Sequence, residues 1–321
     1  MKSSLKFFAR APGKIIITGE HFVVHGSLAL AAAIDRGVLV EAETFEGIEI
    51  VSKNLGLSAS GTKKDPLPLK PILETIKATL EFVREKRGAR VVINSDLPVS
   101  SGLGSSSAVA VATVAATSSA LGHKLSSEEI VDLAMASEKV IHGRPSGVDV
   151  NVAAYGGVVL FRMGERPKQI KLNKNVEFII SCSGIERKTS RMVAKFSDIK
   201  RLYPNIFASL VLSSSRLTEI ATDALAKSDL TTLGTIMNFF HIVLSRLGIS
   251  TRKLDHMVEK ALEAGCLGAK LTGAGGGGCT IALPRYGEAK IIEGALKKRG
   301  VDASVVRLPL EGVKVWKGES Q

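Results

Sequence analysis

The chain is short of several things, and each shortage removes a class of protein. Aromatic residues make up only 5% of its 321 residues, and none interleave with basic residues as stacking platforms for single-stranded nucleic acid require. There are three cysteines, Cys182, Cys266 and Cys279, widely spaced. An odd, sparse count without a C-x-x-C pair argues against a disulfide framework, zinc or thiol redox work. The expectation is three small buried hydrophobes in a reducing cytosol. No apolar run approaches the roughly 18 residues of a membrane span. The most apolar stretch, Ala108 to Leu121, is interrupted by Thr113, Thr117, Ser118 and Ser119. Phe7 and Phe8 are followed at once by Arg10, and Gly19-Glu20-His21 breaks the next apolar run, so the start does not read as a signal peptide. Repeats, low-complexity tails and Pro-rich linkers are missing too. The expected setting is the cytoplasm, without membrane or nucleic-acid partners.

What is present is ordinary for a globular protein: 45% hydrophobic and 23% charged residues. The length suits about two domains, expected at 1–172 and 173–321. The net charge of +12 suits an anionic substrate such as a nucleotide. The basic residues are scattered, with Lys63-Lys64 and Lys297-Lys298-Arg299 the densest clusters, so a solvated basic surface explains the charge equally well.

The first half reads as strands and helices around Gly-rich turns. Phe7 to Arg10, Ile15 to Thr18, Val38 to Thr44 and Arg90 to Ser95 carry strand-like runs. Ile72, Ile76, Leu80 and Val83 fall on one face of a helix from Leu69 to Arg87. Ser105 to Leu121 is apolar nearly all round and predicts a buried helix. Ser126, followed by Glu128 and Glu129, caps a helix reaching Ile141. In the second half a strand at Val176 to Ser181 precedes helices at Asn205 to Lys227, Leu230 to Leu247 and Thr251 to Ala264. Strands at Ala269 to Thr272 and Cys279 to Leu283, a helix at Glu288 to Arg299 and a strand at Ala303 to Arg307 follow. This order fits a split-βαβ arrangement, and segregated strands and helices argue for an α+β class.

The most informative segment runs Asp96-Leu97-Pro98-Val99-Ser100-Ser101-Gly102-Leu103-Gly104-Ser105-Ser106-Ser107-Ala108. Two glycines spaced by one residue turn the backbone sharply after a strand and open a buried helix. Their N–H groups join the unpaired amides of the first helical turn into an anion site. Serine hydroxyls there can reach phosphate oxygens or a Mg²⁺ ion. No Gly-Lys-Ser/Thr ends the loop, so it is not a Walker A motif, and Ser107 stands where a dinucleotide fingerprint would need a glycine. Taken alone, the segment is equally a Gly/Ser loop with Ser105 capping a helix. A second run, Gly273-Ala274-Gly275-Gly276-Gly277-Gly278, is followed by a strand rather than a helix, so its match to G-x-G-x-x-G is accidental. Six small residues call for close approach of a phosphate or of another backbone.

Charged residues stand at special places. Lys14 opens an apolar strand that Glu20-His21 closes. Glu138 lies near the end of a helix, and the turn His142-Gly143-Arg144-Pro145-Ser146-Gly147-Val148-Asp149 follows, with Ser146 placed to cap a short helix carrying Asp149. One carboxylate to hold a metal and another to accept a proton suit phosphoryl transfer. Each residue alone reads as a surface charge, a cap or a helix-start acid.

Together and in order, Ala11 to His21, Pro98 to Ala108, Pro145 to Asp149 and Lys270 to Cys279 resemble the signature segments of the GHMP kinase superfamily. Gly19-Glu20-His21 with Val23-Val24-His25-Gly26, Pro145 to Asp149 and Leu271 to Cys279 resemble its mevalonate kinase branch most. A galactokinase would show Thr-Asp-Tyr where Phe22-Val23-Val24 stand. The resemblance implies a two-domain α+β fold. Its N-terminal part would be a mixed sheet with helices, like domain 2 of ribosomal protein S5, and its C-terminal part a split-βαβ, ferredoxin-like domain. It implies phosphorylation of the 5-hydroxyl of mevalonate, with a sister reaction on phosphomevalonate or a sugar as the alternative. It implies ATP held by Pro98, Gly102, Leu103, Gly104, Ser105, Ser106 and Ser107, and Mg²⁺ held by Ser106 and Glu138. Asp149 would take the hydroxyl proton, and Lys14 would pair with it and stabilise developing charge. Glu20, His21 and Thr189 would lie at the acceptor, a small hydroxylated carboxylate, and the 273–278 loop would pack on the phosphate loop. A homodimer follows from family habit. Thr18, Phe22 and His25 depart from the family pattern and would reshape the acceptor pocket.

Overall fold

A computed structural model describes residues 5–62, 65–98, 101–142, 146–186 and 189–318. Lys63-Lys64, Val99-Ser100 and Gly143-Arg144-Pro145, all used in the sequence argument, lie outside these.

The N-terminal part is an eight-stranded mixed sheet. Its main path runs β12 (Lys314–Gly318), β1 (Lys6–Thr18), β2 (Ala29–Phe45), β5 (Gly88–Ser95), β3 (Ile48–Ser52) and β4 (Leu57–Ala59). The strand β6 (Val158–Phe161) pairs with the first part of β2 and with β7 (Lys168–Ile170). Only β3 and β5 run parallel among these pairs. The two strands expected at 7–10 and 15–18 are one. Ala11-Pro12-Gly13 stays in β1, where a shift of register between Pro12 and Gly13 absorbs the irregularity.

The helix α2 (Ser105–Ala120) lies on this sheet, and α1 (Lys70–Phe82) and α3 (Ser127–His142) pack against α2 and each other. The α2 helix is buried nearly all round, from Ser107 through Ser118 apart from Val109, because its Ala and Val side chains let β1, β2 and the neighbouring helices approach from all sides. Each valine buried there contributes about 1.5–3 kcal/mol. The α3 start is a reciprocal capping box: Ser126 N–H donates to Glu129 Oε2 at 2.7 Å, and Glu129 N–H donates to Ser126 Oγ at 3.2 Å. The first helix stops at Phe82, short of the expected Arg87, because Arg84 takes φ 54° and turns the chain into β5. A short helix, α4 (Val148–Tyr155), leads to β6.

The C-terminal part is a four-stranded antiparallel sheet in the order β11 (Ala303–Arg307), β8 (Glu177–Cys182), β10 (Cys279–Leu283), β9 (Gly268–Thr272). With α5 (Thr189–Leu202), α6 (Pro204–Lys227), α7 (Leu230–Arg246), α8 (Arg252–Glu263) and α9 (Ala289–Lys298), this is the split-βαβ order that the sequence predicted. Along the chain the change of sheet falls between β7 and β8. After β11 the chain crosses back, and β12 pairs with β1 from Lys6↔Gly318 to Arg10↔Lys314.

The cysteine expectation is corrected. Cys182 and Cys279 face each other across β8 and β10 and form a disulfide, with their Cα atoms 4.0 Å apart. Only Cys266 is a free, buried thiol, and burial pushes it up to about 12. Among the described residues no helix is long and apolar enough to cross a membrane.

Candidate active site

The site forms where β1, the start of α2 and the start of α4 meet. Lys14 sits mid-strand and only 2% exposed, and its Nζ lies 2.9 Å from Asp149 Oδ1. Asp149 is in the first turn of α4, where the helix dipole favours a carboxylate, and its side chain keeps 28% of its surface. The cap of α4 is Gly147 in the left-handed region. Ser146, expected to cap, accepts only a long bond from Val148 N–H at 3.4 Å.

The phosphate loop passes directly over Lys14. Lys14 N–H donates to Leu103 O at 2.8 Å. Gly104 takes φ +76°, and a Cβ built there would lie 2.8 Å from Lys14 Cγ, so only glycine lets the loop cross the lysine stem this closely. Gly104, not Ser105, is the N-cap of α2, and no side chain caps the helix. The first-turn amides of Ser105, Ser106 and Ser107 therefore keep the open N-terminal geometry that binds anions. Gly102, Leu103 and Gly104 are buried, while Pro98 is exposed at the loop's entry.

The three serines differ. Ser107 is 2% exposed and its Oγ donates to Glu138 Oε1 at 2.6 Å, across from α3. Ser106, matched by alignment to the metal position, is exposed, and Ser105 is intermediate. Ser107 is thus the serine brought to the carboxylate.

At the end of β1, Glu20 is 1% exposed and forms an ion pair with Lys270 of β9, itself 0% exposed. Lys270 Nζ also donates to Leu271 O at 2.6 Å and more weakly to Ile16 O at 3.4 Å. Three acceptors around one nitrogen fit an ammonium. Burial pushes the Glu20 carboxyl up and the Lys270 amine down, and each charge counters the other's shift. Beside them, Thr272 Oγ1 accepts from Ile16 N–H at 2.9 Å and lies 3.2 Å from Ile16 O, joining β9 to β1. His21 takes φ 62°, its Nε2 lies 2.8 Å from Ala274 O, and its ring stacks on Phe196 of α5.

The second glycine loop meets backbone. Gly276 N–H donates to Ile249 O and Gly278 N–H to Ile185 O. At Gly275 an added Cβ would lie 2.4 Å from Ile249 O. These contacts join the loop to segments of the C-terminal part, and Ala274 carries it to His21. Thr189 opens α5 half-buried and, among the described residues, forms no hydrogen bond to Lys14 or Asp149.

The structure therefore brings Lys14 to Asp149 and Gly104, Ser107 to Glu138, Glu20 to Lys270 and His21 to Ala274. Sequence reasoning missed Lys270 and Thr272. The signal was available: a lysine inside a strand whose neighbours are Ala269 and Leu271 is either solvated at an edge or buried against a carboxylate.

Comparison with known proteins gives the family. Residues 72–157 match the model of the GHMP kinases N terminal domain and residues 221–302 that of the GHMP kinases C terminal domain. Residues 2–44 match a galactokinase galactose-binding signature. A mevalonate kinase of Aeropyrum pernix is 39% identical over 88% of this chain and 90% of its own length. The crystal structure of the Methanococcus jannaschii mevalonate kinase superposes with a TM-score of 0.82 at 29% identity, covering 96% of this chain and all (100%) of that one. The L. major mevalonate kinase in complex with R-mevalonate gives 0.78 at 28% identity over 96% and 94%. The chain belongs to the GHMP kinase family, among its mevalonate kinases.

Proposed function

We propose that the chain transfers the γ-phosphoryl group of ATP to the 5-hydroxyl of mevalonate, giving 5-phosphomevalonate and ADP in the cytoplasm. The observation that carries this reading is the Lys14–Asp149 pair, 2.9 Å long, directly beneath a phosphate loop whose Leu103 carbonyl is bonded to Lys14 itself. Phosphoryl transfer asks mainly for position and charge stabilisation. Asp149 accepts the hydroxyl proton as the acceptor oxygen bonds to phosphorus. Lys14 orients that carboxylate and stabilises negative charge building on the transferring oxygens. The amides from Gly102 to Ser107, with Pro98 at the entry, hold the nucleotide. His21 and Thr189 face the acceptor, and Glu20 supports that end from beneath.

A buried carboxylate and a hydroxyl at Glu138 and Ser107 form an all-oxygen donor set, which fits Mg²⁺. Among the described residues no cluster of three or more acidic, His or Cys side chains exists, so such an ion would complete its shell with phosphate oxygens and water. Glu138 with Ser107 or Ser106 would hold it, and it would neutralise phosphate charge.

The galactose-binding signature over residues 2–44 favours a sugar as the second reading. ADP release measured with R-mevalonate, phosphomevalonate and galactose in turn separates the readings. Turnover with R-mevalonate alone is expected. Turnover with galactose or phosphomevalonate and none with R-mevalonate overturns the proposal. Sedimentation at working concentration tests the homodimer.

A further inference from the structure

Two cations and two anions are packed into one corner of the site, and only one pair is accounted for by the chemistry. Lys14 and Asp149 form the upper pair, with Asp149 the more exposed member. Lys270 and Glu20 lie beneath, both essentially without exposure. Lys14 is close enough that its charge acts on both members of the lower pair. The Glu20 carboxylate uses Oε1 for Lys270, and its Oε2 is buried with no hydrogen-bond partner among the described residues. A buried carboxylate oxygen without a donor attracts the nearest cation strongly, because the surroundings screen it poorly. The nearest second cation is Lys14.

We propose that Lys270 is a positioning residue for phosphoryl transfer: by neutralising Glu20 it prevents that carboxylate from capturing Lys14, and so leaves Lys14 to Asp149 and the transferring phosphoryl group. Lys270 touches neither reactant. It acts through Glu20 and Lys14, and its contact with the Ile16 carbonyl, beside the Thr272–Ile16 bonds, fixes it at the β1–β9 junction between the two parts of the molecule. The other groups facing this pair are few. His241 of α7 accepts from Leu271 N–H at 3.4 Å through Nδ1, and burial holds it at about 4, so it stays neutral. Asp255 of α8 pairs with His241 at 3.3 Å on the side away from Leu271. Asp149 of α4 reaches the group only through Lys14.

The inference rests on the phosphoryl-transfer reading, so turnover of ATP and R-mevalonate by the unaltered protein is the control; its absence sinks that reading and not this one. The experiment is the pH profile of kcat for the unaltered protein, Lys270→Met and Glu20→Gln/Lys270→Met, with KM and melting temperature recorded for each. Lys270→Met is expected to lose kcat by about 10²-fold, with KM for ATP little changed. Its activity should be best at acid pH, where Glu20 is protonated, and fall as Glu20 ionises and draws Lys14 away. The double variant removes the competing carboxylate and should recover at least about tenfold of the lost kcat and lose the new acid-favouring limb. A loss in Lys270→Met that is uniform across pH, or a folded double variant no faster than the single one, overturns the proposal. Should Lys270→Met fail to fold, Glu20→Gln decides. Leaving two like charges together makes the pair shed a proton more readily, so the alkaline limb of kcat should move to lower pH. An unmoved alkaline limb overturns the proposal.

Discussion

Lys14 Nζ lies 2.9 Å from Asp149 Oδ1, with the ammonium almost fully enclosed and the carboxylate more open. The asymmetry fits the roles proposed for the pair. The enclosed partner is held by strand and loop, so its charge is what it offers. The open partner keeps the exposure that a proton acceptor needs. Asp149→Asn should bind ATP with little change and lose kcat by about 10²–10⁴-fold, checked by nucleotide titration beside steady-state turnover. Retained turnover removes Asp149 from the mechanism.

The serine that completes the metal site is testable by rank order. Ser107 Oγ is bonded to Glu138 and Ser106 is exposed. Ser107→Ala should therefore raise the Mg²⁺ concentration for half-maximal rate about tenfold or more, and Ser106→Ala should raise it less. The reverse order, read from Mg²⁺ titrations at fixed ATP, assigns the metal to Ser106.

His241 predicts an acid-side loss of stability. It is 8% exposed, and burial lowers it from 6.5 to about 4. A folded-state value below the unfolded one means the unfolded chain binds the proton more readily between the two. The contribution is thus fully present above pH 6.5 and lost as pH falls toward 4. The shift corresponds to at most about 3 kcal/mol. Urea midpoints for the unaltered protein should fall over that window, while those of His241→Gln should fall less. Equal slopes count against the assignment.

The Cys182–Cys279 disulfide closes a long loop, its ends separated by 97 positions in the sequence. Cys182→Ser should lower stability by about 2–4 kcal/mol, and the unaltered protein should shift by a similar amount when fully reduced. Identical melting with and without reductant, with thiol counting as a check on reduction, would show that the bridge adds nothing.

Much of this was legible in the residues, for physical reasons that can be named. The α2 helix was read at 105–121 and stands at 105–120, because an apolar, Ala-rich run has no polar face to misplace. Lys14, Asp149 and the phosphate loop stood out because their neighbours, Pro12-Gly13, Gly147 and Gly102-Leu103-Gly104, punctuate the chain, while the roles expected of them came from the family resemblance. What was not read is equally specific. The α5 helix, carrier of Phe196, went unseen because Phe196 is the only residue it buries fully. The strand β12 alternates poorly and stays exposed over most of its length, so only its partner β1 defines it. The Cys182–Cys279 pairing depended on register between strands nearly a hundred residues apart, which no local pattern carries. Lys270 was quoted within a motif, yet its role lies in what surrounds it in space.

The return of β12 to β1 has one more consequence. Because Lys6↔Gly318 to Arg10↔Lys314 stitches both ends of the path into the same sheet, the second part of the molecule is an insert held by two tethers rather than a bead on a string. Between the two tethers the insert is also bonded to the sheet through Thr272–Ile16, Lys270–Glu20 and His21–Ala274, so any movement of one part against the other must break contacts at the β1–β9 junction.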